Sequence, residues 1–160
     1  MLSRLLPAHL DNDFRGYKAA IWIFALITAI KLGLGLVHIL SADGGAQTLS
    51  HVPLDSYPAG AAQNVVGLFA RMGLEQLLLG AIFIVVLLRY RALISLMFLL
   101  ALVAQAGAFA LAACKPLSLT VSSGGVAPMH LVLSALYIAG LGFSLLKGES
   151  AGTTRGTGAR

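Results

Sequence analysis

Apolar residues gather into four long runs, at 19–40, 65–88, 92–114 and 127–146, with the polar positions concentrated between them. A helix rising about 1.5 Å per residue needs about 20 residues to cross the hydrocarbon of a bilayer, and each run is that long. The pattern predicts four helices. Ser41-Ala42-Asp43-Gly44-Gly45 ends the first, and Arg89-Tyr90-Arg91 makes a tight basic turn after the second. Lys115-Pro116 stops the third, and Pro128 falls in the first turn of the fourth, where a missing N–H is tolerated. The segment 41–64 holds Asp43, Asp55, Pro53 and Pro58 but no Lys or Arg. It is expected to be a long loop that caps the helix ends or docks another protein. Residues 1–10 space Leu2, Leu5, Leu6 and Leu10 as a short surface helix would, and the Gly/Thr-rich tail 147–160 is expected to be disordered.

Composition sharpens this picture. Hydrophobic residues make up 58% of the chain and charged ones 11%, against about a quarter charged in soluble domains. Inside the four runs the only charges are Lys31, Arg71 and Glu75. An ordinary soluble domain, a disordered chain and a disulfide scaffold are excluded. The expected fold class is all-α, an integral membrane four-helix bundle forming one domain over 19–146 behind an N-terminal segment 1–18. The first run exceeds the apolar core of a secretion signal, and Asp11 and Asp13 interrupt its leader, so it is expected to persist as a helix. Cys114 is the only cysteine, which excludes an internal disulfide or a thiolate metal site.

The net charge of +5 does not point to nucleic acid, because the basic residues flank the runs instead of forming a patch. Arg4, Arg15, Lys18, Arg89, Arg91, Lys147, Arg155 and Arg160 lie on one side of the predicted topology, and Lys115 alone on the other. By the positive-inside rule both termini and the 89–91 turn face the cytoplasm. Tyr17, Trp22, Tyr57 and Tyr90 stand near span ends, as interfacial aromatics do.

Candidate chemistry lies inside the spans, since no nucleophile elbow, phosphate loop, HExxH or paired cysteine occurs. Helical rise places Lys31 and Gln105 each about 13 Å inside the outer ends of their spans, and Glu75 about 9 Å inside Phe69, taken as the start of the second span's apolar core. These three form one expected layer, with His38, Arg71 and His130 in a second, nearer the outer surface. Stripes at steps of three and four bring the layers together: Thr28, Lys31, Gly35, His38; Gly67, Arg71, Glu75; and His130, Ser134, Tyr137. Ala101, Gln105, Ala108 and Ala112 give the third helix a small-residue ridge. Lys31 and Glu75 are expected to pair, either as a structural ion pair or as part of a substrate or proton site. Arg71 is expected to snorkel or to pair locally with Glu75, although the i, i+4 charge order favours Glu75 turning to Lys31. His38 and His130 read as hydrogen-bonding residues before metal ligands, and no metal or cofactor is expected.

The stretch Ala-Gln-Asn-Val-Val-Gly-Leu-Phe-Ala-Arg-Met-Gly-Leu-Glu-Gln-Leu-Leu-Leu-Gly follows the long loop. A basic turn, a small-residue third helix and a polar loop before a fourth come after it. Over 61–146 this order resembles the small bacterial four-helix membrane proteins grouped as DoxX-like. The resemblance implies a multi-pass inner-membrane bundle without an assured activity. Arg71 and Glu75 fall later in the second helix than that pattern has them, so no functional residue is carried across. The resulting expectation is a structural or accessory protein of the bilayer, such as a subunit of a larger membrane complex, to which no enzymatic activity is assigned. The alternative is a membrane enzyme or proton-coupled binder of a small lipid-like ligand of the quinone type.

Overall fold

The computed structural model describes residues 5–7, 9–116, 118–120 and 126–146, the last of these with side chains from 129 onward. The expected surface helix at 1–10 lies partly, and the tail at 147–160 wholly, outside the described residues. Among them stand four long helices and no strand: α1 Ala19–Leu40, α2 Ala59–Arg89, α3 Ile94–Cys114 and α4 Val126–Leu145. Short 3-10 turns lie at Leu54–Ser56 and Arg91–Leu93. The chain is all-helical, and α1, α2 and the Arg91–Cys114 stretch are each long and apolar enough to cross a membrane.

α1 has the bounds its hydropathy predicts, but α2 begins six residues before its apolar run, at Ala59. Pro58 starts it, its carbonyl accepting the N–H groups of Ala61 and Ala62 at 2.8 and 3.0 Å. Gln63 and Asn64 end the hydropathy signal without ending the helix. The preceding loop therefore covers 41–58 and not 41–64.

α1 and α2 pack antiparallel with their backbones in near contact. A Cβ at Gly73 would stand 2.8 Å from the Gly35 carbonyl oxygen, and one at Gly80 would stand 2.6 Å from the Leu32 side chain. Small residues at such crossings let membrane helices gain dispersion contact that lipid cannot supply. α3 and α4 form a second antiparallel pair, with the Phe98 ring lying on Gly140. α4 also runs back along α1, where the Tyr17 N–H donates to the Phe143 carbonyl at 2.9 Å.

All four helices meet in one aromatic layer. Phe24 stacks at 4.8 Å on Phe83 and edge-on at 5.5 Å on Phe98, and Tyr137 belongs to the same buried cluster with Ile27, Val86 and Ile94. Outside this core large apolar side chains such as Leu68, Leu78, Leu88, Val103, Leu131 and Ile138 are more than half exposed. So continuous an apolar exterior fits helices long and apolar enough to cross a membrane.

The 41–58 loop folds over the free ends of α1 and α2. Ala46, Val52 and Leu54 form a small buried cluster against Val65, Val66 and Phe69 of α2. Asp43 organises the cap, its carboxylate accepting the backbone N–H groups of Thr48 at 2.8 Å, Gly45 at 2.9 Å and Gln47 at 3.1 Å. Gly44 and Gly45 turn through positive φ of 61° and 72°, the left-handed region that glycine enters without steric cost.

Candidate functional site

The aromatic layer fixes the axial register of every helix, and the register locates the polar residues. Seven residues is close to two helical turns, so a step of seven keeps the same face to within about 20° and moves about 10 Å along the axis. Toward the capped end, that step leads from Phe24 to Lys31, from Phe83 to Gln76, from Phe98 to Gln105 and from Tyr137 to His130. Each of the four is half-buried on the inward stripe of its helix. The outcome is a polar layer, one side chain per helix, stacked two turns from an aromatic one.

Within this layer the Gln105 amide donates to His130 Nδ1 at 3.0 Å. With Nδ1 taken by the amide, Nε2 is the imidazole nitrogen left for another partner. The Phe109 ring meets the imidazole edge-on at 6.1 Å. Ser134 lies one turn along the same stripe and satisfies itself, its hydroxyl donating to the His130 carbonyl at 2.7 Å. Lys31 has no ion-pair or hydrogen-bond partner for its ammonium among the described residues.

The expected pair of Lys31 with Glu75 is not formed. Glu75 instead meets Arg71 at 3.4 Å, and these side chains are 67% and 77% exposed. The reason is azimuthal. Two residues on from Gly73, which seats α2 against α1, Glu75 has turned about 200° around the helix and faces outward. The whole Gly67, Arg71, Glu75 stripe points away from the other helices, and a side chain at Gly67 would meet nothing. The charge that the sequence assigns to the pocket belongs to the outer surface.

The second expected layer is not assembled either. His38 is buried one turn beyond Gly35, where its Nδ1–H donates to the Gly44 carbonyl at 2.7 Å and its ring meets Phe69 at 5.7 Å. It fastens the cap to α1. His130 lies deeper than expected, level with Lys31, and Tyr137 lies in the aromatic layer. Gln76 is the member that reading the sequence missed. The signal was present, since Gly73, Gln76, Gly80 and Phe83 repeat the three, four, three spacing of Thr28, Lys31, Gly35 and His38.

No carboxylate approaches this layer from its own helices. Glu75 is the single acidic residue in α1 to α4, while Asp11 and Asp13 precede α1 and Asp43 and Asp55 belong to the cap. Among the described residues no three metal-ligating side chains gather. The layer gathers the polar side chains of Lys31, Gln76, Gln105 and His130 two turns from the aromatic layer. No family model, curated protein or solved structure matches the chain.

Proposed function

We propose that this chain is a multi-pass four-helix bundle of the bacterial inner membrane with both termini in the cytoplasm. It binds between its helix pairs a small amphipathic ligand bearing acceptor oxygens, of the quinone type. Three membrane-length apolar helices support the setting, and the eight-to-one Lys/Arg bias supports the orientation. The resemblance to DoxX-like proteins over 61–146 implies the same setting.

The observation that carries the ligand is Lys31. An ammonium inside a span is costly, by several kcal/mol, unless it is paired or hydrated, and the one carboxylate at its level, Glu75, faces outward to Arg71. An acceptor oxygen placed there gains a charge-assisted hydrogen bond, His130 Nε2 offers a second polar contact, and the aromatic layer receives an apolar ring or chain. The arrangement binds and orients without supplying a nucleophile or an acid–base pair.

Calorimetric titration of the detergent-purified protein with a decyl-substituted benzoquinone tests this. Lys31→Met is expected to weaken binding by about tenfold or more, the worth of a hydrogen bond to a charged group, and Gln76→Leu by less. Glu75→Gln is expected to have no effect. Equal affinity of wild type and Lys31→Met would sink the ligand reading.

A second reading, an accessory subunit of a larger membrane complex, is favoured by α3. Beyond Gln105 its residues 106–114 are all exposed, and the ridge of Gly107, Ala108 and Ala112 is bare. Close-packed membrane helices turn such ridges to one another. A stoichiometric membrane partner retained in mild detergent, and lost in Ala108→Leu, would establish it.

A further inference from the structure

At the end of the molecule away from the cap, Lys18 stands just before α1 and Arg91 just after α2. The two line one cleft of about 550 Å³ with Asn12 and Trp22, walled by Ile21 and Leu87 among others. Arg91 Nε donates to the Leu87 carbonyl at 2.8 Å, which holds the guanidinium at the helix end where Arg91 lines the cleft. Arg89 lines an adjoining cleft that shares Asn12 and Leu88 with the first.

Among the described residues no carboxylate lines this cleft. Asp11 and Asp13 are both held by Arg15, at 3.5 and 3.7 Å, and neither lines the cleft. Lys18 has no ion-pair partner among the described residues. Trp22, 77% exposed, stands one turn into α1, at the depth where tryptophan prefers the boundary between headgroups and chains. Below it the groove between the start of α1 and the end of α2 is apolar.

From this juxtaposition we infer that the cleft binds an anionic phospholipid, its phosphate between Lys18 and Arg91 and an acyl chain along Ile21, Ala25 and Leu87. A planar guanidinium and a point-charged ammonium suit a phosphate, and basic pockets between spans on the cytoplasmic side select anionic headgroups. The inference rests on α1 and α2 spanning the membrane. It is independent of any ligand at Lys31.

Trp22 is the only tryptophan, so its fluorescence reports on this cleft alone. The full chain is reconstituted in phosphatidylcholine vesicles carrying a minor fraction of brominated phosphatidylglycerol, or the same fraction of brominated phosphatidylcholine. The glycerol lipid is expected to quench Trp22 in clear excess. Each basic contact near the surface is worth about fivefold in lipid partitioning, so Lys18→Gln should cut the excess accordingly and Lys18→Arg should preserve it. Lys115→Gln changes the net charge equally at the other end and should leave the excess intact. Lys18 is exposed and bonds no other side chain, so its loss leaves the fold in place.

Equal quenching by the two lipids overturns the inference while leaving the membrane reading standing, and so does an excess that survives Lys18→Gln. If inorganic phosphate removes the excess where chloride of equal ionic strength does not, the site takes a soluble phosphate and the lipid assignment is wrong. Quenching by neither lipid takes Trp22 out of the bilayer and overturns both readings.

Discussion

Where Phe24, Phe83, Phe98 and Tyr137 meet, every helix contributes a side chain exposed by no more than 3%. Two turns further along the same faces, Lys31, Gln76, Gln105 and His130 are all half-buried. The aromatic end is closed by dispersion and needs no hydrogen bonds, whereas the polar end is joined by one amide-to-imidazole bond and a pair of loops. At that end α1 and α2 stay in backbone contact beneath their cap, while α3 beyond residue 105 is exposed. Stability and chemistry are therefore separated along the helix axis. The closed layer sets the register, and the open layer uses it.

The largest expected effect tests that separation. Phe98→Ala removes a ring that touches Phe24 and covers Gly140, and should lower stability by about 3–5 kcal/mol in detergent unfolding experiments. Gln105→Leu loses a half-buried hydrogen bond at the open layer and should cost about 1 kcal/mol. Comparable losses at the two positions would mean that the two ends contribute alike, and the comparison would fail.

The helices were legible in the sequence because apolar runs of membrane length have few other uses, and α1 was legible to the residue. The level of the polar layer was nearly legible too, since counting rise from the span ends brought Lys31, residue 75 and Gln105 to one depth. What counting could not supply was azimuth. On α2, Glu75 and Gln76 share a depth and differ by about 100° in direction, and only the Gly73 and Gly80 contacts decide which faces inward. The depth of His130 was hidden for another reason. Its bond to Gln105 places it nine residues below the end of α3 but only four from the start of α4, so α4 begins about 7 Å deeper than α3 ends.

The cap gives a smaller and sharper test. Asp43 is held down to about 2 from its ordinary 3.8, chiefly by the Thr48 N–H, with the Gly45 and Gln47 N–H groups adding to it. A carboxyl whose pKa falls on folding stabilises the fold above its unfolded value and loses that contribution as pH drops through the folded one. Cap stability should therefore be constant above about pH 4 and decline between about pH 4 and pH 2. Asp43→Ala should cost about 1 kcal/mol, as lost caps do, and should flatten that part of the pH profile. An unchanged acid limb in Asp43→Ala would assign the decline to another carboxylate. Since the cap packs on α1 and α2 and meets the segment after α3 only at Leu119 and Thr120, the contact of Phe98 with Gly140 deep between α3 and α4 should not respond.

The smallest effect concerns what ties the two helix pairs together at the open end. Thr120, between α3 and α4, donates both its N–H at 3.0 Å and its hydroxyl at 3.1 Å to one acceptor, the His51 carbonyl of the cap. His51 is in the left-handed region at φ 57°, uncommon for a residue with a side chain, and the double bond from Thr120 helps to hold that conformation in place. Leu119 beside it packs on the Ala46, Val52, Leu54 cluster. Thr120→Val keeps the shape and the N–H and removes only the hydroxyl, which is exposed, so global stability should fall by no more than about 0.5–1 kcal/mol. Local opening is the more sensitive measure. Hydrogen exchange should quicken at Val52 and Thr120, which belong to the tie, and remain unchanged at Phe24 and Phe98, which do not. If exchange rises equally in both places, the aromatic layer depends on the tie, and the two ends of the molecule form one cooperative unit.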